Sequence, residues 1–388
     1  MVDVKNIIVI GVGLMGNGIA QVSMMAGYNT TLVDISQEII DKAVEGIEGG
    51  LNKLESKGVL KAAEVLARMK TSLDLASAVK DADLIIEAVV EDMDVKKKIF
   101  QTCDENAPPH AVIASNTSTM SITEMARATN RPDRCIGMHF FNPAPLMRLI
   151  EVIAGESSSE EAMEIGMKVS ESLPCLRGDR YVAKVLKDRP GFIVNRLNAP
   201  SGIYMNYLLD TCLEKGILFE SLDADFGSRG PMSPLVLSDY TGIDTGYHIR
   251  NYYSETLHED FRPGKAITKL FKEGKHGRKS GQGFYDWTKG RPQPDFSKIK
   301  KAGLANPTVI LAIRLNEGCR ILEEGIASGW KVIDDANMAG MNASGPFELG
   351  INYWKDLVKL LEETAEKIGS EYLKPCELFK SGKFVDMK

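Results

Sequence analysis

His139 and Glu151 stand in "IGMHFFNPAPLMRLIEVIAG", residues 136–155, each inside a run that otherwise reads as buried. Ionisable groups are kept out of such runs unless each has a partner. Paired with one another, they satisfy that need. The carboxylate would fix the ring tautomer and stabilise imidazolium, leaving the other nitrogen as a general base for an alcohol proton. A structural ion pair in the core accounts for the same pattern. The remaining histidines, at 110, 248, 258 and 276, lie among polar residues and read as solvated.

Two more polar residues fall where a crevice is expected. Ser118, in "ASNTSTM", follows a strand ending near Ala114, at the carboxyl end where open sheets bind ligands. Equally, Ser115, Thr117 and Ser118 could cap the next helix. Asn195 follows "GFIV" and could orient a carbonyl, or bond the backbone at a helix start.

The elements that must position these groups begin with "VIGVGLMGNGIA", where Gly11, Gly13 and Gly16 have G-x-G-x-x-G spacing. The first glycine allows the tight turn, the second admits a pyrophosphate, and the third lets helix and strand pack closely. The helix start adds N–H donors and a positive dipole end. Asp34 ends the next strand, where an acid accepts ribose hydroxyls and repels the extra phosphate of NADP. The context predicts a dinucleotide site that takes NAD.

Further strands are predicted at 6–10, 30–33, 84–90, 111–115, 134–140 and 149–153, with a helix at 14–26. Residues 36–68 have helical apolar spacing with a break at 56–58, a helical hairpin inserted in an α/β domain. The alternation predicts a Rossmann-like, doubly wound, mainly parallel sheet covered by helices. Beyond Pro190-Gly191 strands become rare: 192–260 and 307–370 read as helical, with a Gly-, Pro- and Lys-rich stretch at 262–306. "LDADFGSRGPMSPLVL" (222–237) aligns with "DDANMAGMNASGPFEL" (334–349), matching Asp223/Asp335, Ala224/Ala336, Pro234/Pro346 and Leu237/Leu349. The expected division is therefore 1–188 for the NAD-binding domain, 189–300 for a first all-α domain and 301–388 for a degenerate copy packed on it.

The chain has 388 residues and a net charge of −6, which gives no support for a nucleic-acid partner. Its opening residues carry no signal-peptide pattern, and no apolar run reaches about 18 residues, so a soluble, cytoplasmic protein without a membrane partner is expected. The six cysteines are scattered with no C-x-x-C pair, so neither a metal nor a disulfide is expected.

The set "GVGLMGNGIAQ", "IIEAVVEDMDVKKKIF", "ASNTSTMSIT", "GMHFFNPAPLMRLIEVIAG", "RPGFIVNRL" and "GRKSGQGFYDW" resembles the 3-hydroxyacyl-CoA dehydrogenase family, in family order and over nearly the whole chain. The resemblance implies reversible, NAD-dependent oxidation of an (S)-3-hydroxyacyl-CoA. His139 would be the base, Glu151 its partner, and Ser118 and Asn195 the contacts to the reacting oxygen and substrate. Leu14 and Met15 beside the glycines, Glu91, Lys96, Ser118, Asn142 and Lys279 match cofactor-contacting positions, although Glu91 and Lys96 read alone as a charged helix start. Lys57 matches a residue that meets CoA phosphates, or is a solvated lysine. Gly50 stands where some members carry a CoA-contacting serine.

Two departures accompany the likeness. "LRGDRYVAKVLKDRPG" is longer than the matching stretch of short members, and the second helical copy reads "NPTVILAIRLNEG" where "GFIVNR" would stand. That copy would have no active site and would replace a partner subunit, allowing a monomer or a homodimer. Two rivals remain: a dehydrogenase of a CoA-free hydroxy acid, like the related L-gulonate dehydrogenases, and a non-catalytic NAD-binding structural protein, like the related lens crystallins.

Overall fold

The computed structural model describes residues 3–227 and 232–388. The chain divides into two compact units, Met1–Asn195 with Ile321–Gly345, and Arg196–Arg320 with Pro346–Lys388. The middle of the duplicated segment, 228–231, lies outside the described residues.

The first unit is built on eight strands: β1 (Asn6–Ile10), β2 (Asn29–Val33), β3 (Met69–Ser72), β4 (Leu84–Glu87), β5 (Val112–Ser115), β6 (Cys135–Phe140), β7 (Leu149–Ala154) and β8 (Tyr181–Val185). Their order is β3-β2-β1-β4-β5-β6-β7-β8. The first six pair in parallel, β7 runs antiparallel to β6, and β8 is parallel to β7. This is the doubly wound arrangement the sequence predicted, with the order reversing between β1 and β4.

The central strands are nearly continuous apolar runs because helices cover both faces. Successive residues feed opposite cores: Ile7, Val9, Leu84 and Ile86 go to one, Ile8, Ile10 and Ile85 to the other. The helix Gln37–Glu55 buries Ile40, Ala43, Ile47, Leu51 and Leu54, a stripe at helical spacing. It stops at Ser56, and Gly58, at φ +71°, turns the chain towards the short helix Ala62–Leu66, completing the hairpin.

Two edge strands escaped the sequence reading. β3 is partly exposed and reads "MKTS", while β8 lies in the long stretch before Pro190. The three expected domains also differ from the two observed units. Residues 321–345 belong with the sheet because the helix Trp330–Met341 covers β7 and β8. A Cβ on Gly340 would lie 2.7 Å from Leu149 Cδ2, and the Leu186 N–H donates to the Ile326 carbonyl at 2.8 Å. Of the two acids that open the second copy, Asp334 is the one buried like Asp223, packed against Gly345, whereas Asp335 is partly exposed and pairs with Lys331.

Within the second unit both helical copies take part. Asp260 accepts hydrogen bonds from Ser370 Oγ at 2.7 Å and the Tyr372 N–H at 2.8 Å. The buried Arg196 and Glu317 form an ion pair that Tyr372 completes through its hydroxyl at 2.8 Å. "GRKSGQGFYDW" wraps the buried Asp239, which accepts the Phe284 and Tyr285 N–H groups and the Trp287 indole, each at 2.9 Å. A Cβ on Gly283 would lie 2.1 Å from the Asp239 carboxylate, so those glycines serve packing. Among the described residues, no helix is long and apolar enough to cross a membrane. Nor do three or more His, Cys, Asp or Glu residues among them gather as a metal site.

Candidate active site

The glycine turn sits at the carboxyl end of β1, at the point where the strand order reverses. Gly11, at φ +82°, abuts the chain leaving β4, and a Cβ there would lie 2.8 Å from the Ala88 carbonyl. A Cβ on Gly16 would meet the Gly11 carbonyl at 1.9 Å, so only glycine allows the helix Leu14–Met25 to start so close to the strand. Gly13 is different, because a Cβ there meets nothing within 4 Å. That open space adjoins the start of a helix with no side-chain cap and no acidic residue in its first turn. Anionic oxygens fit there on N–H donors and the dipole end. Asp34 follows β2 and accepts the Val12 N–H at 3.0 Å and the Ile35 N–H at 2.8 Å, one per oxygen. Each carboxylate oxygen keeps a lone pair for a ribose hydroxyl. The residues present therefore fit a dinucleotide.

β6 and β7 deliver the pair considered first. Ile136, Met138 and Phe140, with Ile150 and Val152, enter one core, which leaves His139 and Glu151 on the other face. The antiparallel register sets these two directly opposite one another. His139 Nδ1 and Glu151 Oε2 are 2.7 Å apart, with both side chains buried. The second Glu151 oxygen accepts the Ile193 and Val194 N–H groups at 3.2 and 2.9 Å. Phe192 precedes these donors with φ +53°, a conformation bulky residues rarely adopt, and its buried ring lies 5.7 Å from the imidazole. Phe141 stands on the imidazole as well, centroid to centroid 4.5 Å.

With Nδ1 engaged, Nε2 is the nitrogen left for chemistry. His139 lines a cavity of about 290 Å³ together with Met15, Glu91, Lys96, Ser118, Asn142 and Asn195. Seven of the expected site residues thus share one pocket. Asn195 Nδ2 donates to the Ser118 carbonyl at 3.4 Å. Glu91 Oε1 accepts the Ser118 N–H at 2.9 Å, the Ser118 hydroxyl at 3.3 Å and the Thr117 hydroxyl at 3.1 Å. Ser118 is therefore tied to the loop after β4 rather than acting as a helix cap. The capping role falls to Ser121 at the start of the helix Ile122–Ala126.

Lys96 is not a solvated helix-start lysine. Only 1% of its side chain is exposed, and it pairs with Glu91 at 3.2 Å and with Glu87 at 2.8 Å. Glu87, wholly buried at the end of β4, is the partner of Lys96 that sequence reasoning missed. The signal was present: "LIIEAVV" sets an acid inside an apolar run, the pattern that singled out Glu151.

Other expected residues lie outside the pocket lining. Lys57 is exposed at the end of the hairpin. A Cβ on Gly50 would lie 3.1 Å from the amide oxygen of the buried Gln21. Lys279 belongs to the second unit, where its ammonium pairs with Asp244. Leu14, like Gly13, is exposed on the glycine turn.

Comparison with known proteins decides the family. Residues 6–174 match the NAD binding domain of 3-hydroxyacyl-CoA dehydrogenase and residues 191–287 match its C-terminal domain. The chain belongs to the 3-hydroxyacyl-CoA dehydrogenase family. Membership makes it an NAD-dependent oxidoreductase. Among its relatives, the mitochondrial hydroxyacyl-coenzyme A dehydrogenase of Sus scrofa is 39% identical over 303 residues, 73% of this chain and 91% of that protein. A probable 3-hydroxybutyryl-CoA dehydrogenase of Bacillus subtilis is 37% identical, over 74% of this chain and 98% of its own. The solved 3-hydroxybutyryl-CoA dehydrogenase of Escherichia coli K12 superposes on 99% of both chains, with a TM-score of 0.84 at 27% identity. That dehydrogenase thus has a counterpart of the second helical copy, which lies beyond the C-terminal family match.

Proposed function

We propose that this dehydrogenase oxidises the 3-hydroxyl of (S)-3-hydroxyacyl-CoA thioesters reversibly, with His139 as the general base. The observation that carries the reading is the buried His139–Glu151 pair in a pocket shared with Ser118 and Asn195. NAD, when bound, supplies the hydride acceptor. His139 takes the hydroxyl proton on Nε2, and Glu151, fixed by its two backbone donors, stabilises the resulting imidazolium through Nδ1. In the return direction the imidazolium gives that proton back. Asn195 and Ser118 hold the reacting oxygen, and orientation of this kind supplies a large part of the acceleration. Lys57, exposed on the hairpin, offers a charge to the phosphates of CoA.

The test is NADH formation from (S)-3-hydroxybutyryl-CoA by the wild type and His139→Gln. Losing a general base lowers kcat by about 10²–10⁴, while NADH affinity, read by fluorescence titration, stays near that of the wild type. Wild-type turnover in the variant would overturn the assignment of the base. Turnover of the free acid alone would instead select the CoA-free reading. Inertness towards every hydroxyacyl substrate with NADH still bound would select the structural one.

A further inference from the structure

The two loops that form the crevice, after β4 and after β5, are joined by a closed ring of polar contacts. Glu87 Oε1 receives the Lys96 ammonium at 2.8 Å and the Val89 N–H at 2.7 Å. Lys96 reaches on to Glu91 Oε2 at 3.2 Å, and the other Glu91 oxygen holds Thr117 and Ser118. The return path runs through Ser115, whose hydroxyl accepts the Thr117 N–H at 3.1 Å and donates to Glu87 Oε2 at 2.7 Å. Glu87 is where both paths meet.

We infer that Glu87 is a positioning residue for this pocket. It holds the Lys96 ammonium in place and, through Lys96, fixes the loop that presents Ser118. The argument is electrostatic and geometric. A lysine so deeply buried requires a full counter-charge, and Glu91 alone, being partly exposed, supplies less of it than Glu87. An ammonium has three donors; two are taken by these carboxylates, and the third remains for a ligand in the pocket that Lys96 lines. Replacing Glu87 by its neutral amide frees Lys96 to swing towards Glu91, which would pull the Ser118 loop with it. Glu87 itself is not among the pocket-lining residues, so it acts through its neighbours.

The inference rests on the NAD site described above but not on the role of His139, so its test does not use turnover. NADH affinity is measured by fluorescence titration on the full chain for wild type, Glu87→Gln, Lys96→Met and the double variant, with thermal unfolding recorded alongside. Contacting groups that act as one unit show coupling, so Glu87→Gln alone should weaken NADH binding about ten-fold. In the Lys96→Met background the same change should cost almost nothing. The double variant buries no unpaired charge and should melt above either single variant. An equal loss of affinity in both backgrounds, or wild-type affinity in Glu87→Gln, would overturn the inference. If Glu87→Gln fails to fold, equal NADH affinity of Lys96→Met and the double variant supports it, and a further loss in the double variant overturns it. Hydroxyacyl-CoA oxidation could fail in the wild type without altering any of these readings.

Discussion

His139 and Glu151 face each other across the single antiparallel step of the sheet, with 2.7 Å between Nδ1 and Oε2. The far Glu151 oxygen is held by two backbone N–H groups, so an amide at this position would place its oxygen there and its NH₂ towards the imidazole. That would leave Nδ1 bare and put the proton on Nε2, the wrong tautomer for a base. Glu151→Gln is expected to lower kcat by about 10²–10⁴ without weakening NADH binding. Near-normal kcat would mean that the pair is only a structural contact.

The glycine turn separates structural from binding roles. Gly16→Ala sets a methyl 1.9 Å from a backbone oxygen, and the variant should fail to give folded, monodisperse protein. Gly13→Ala meets no protein atom and should melt like the wild type. It should nevertheless bind NADH about ten-fold more weakly or worse, because the methyl occupies the space where backbone donors approach the pyrophosphate. Unchanged NADH affinity would show that the turn does not carry the phosphates.

Phe192 offers a reversal of the usual Ala-over-Gly order. Both Phe192→Ala and Phe192→Gly lose the buried ring, at a cost of about 3–5 kcal/mol. Glycine alone accepts φ +53° freely, so Phe192→Gly should be more stable than Phe192→Ala by about 1 kcal/mol. Urea unfolding gives the comparison, and alanine proving the more stable would show that the left-handed backbone is not retained.

Asp104 ties the helix carrying Lys96, Met93–Asn106, to the segment beyond it. Burial alone would raise its carboxyl, but the Asn130 N–H, the Arg131 guanidinium and the Asn130 amide hold it below the usual range. A carboxyl lowered in the folded state adds stability above its unfolded value and loses it as pH falls through the folded one. Asp104→Asn should therefore cost about 1–3 kcal/mol at neutral pH. The gap from the wild type should close below about pH 4. Urea unfolding across that range checks it, and a pH-independent gap would contradict the carboxylate's role.

What the sequence determined was local and periodic. The glycine spacing, Asp34, the helical stripe from Ile40 to Leu54 and the apolar strands all report burial through side-chain spacing along one segment. The family motifs added which chemistry to expect. The tertiary structure decided the rest, because pairing partners lie far apart in the chain. Only the register of β6 on β7 sets His139 opposite Glu151, and only the order of β4 and β5 brings Glu87 to Ser115. The polar edge strand β3 had no continuous apolar face to reveal it. Residues 321–345 look like one half of a helical repeat, yet they cover the sheet edge. The hydrophobic face of a helix states that it must be covered; which surface covers it depends on where the whole chain has gone.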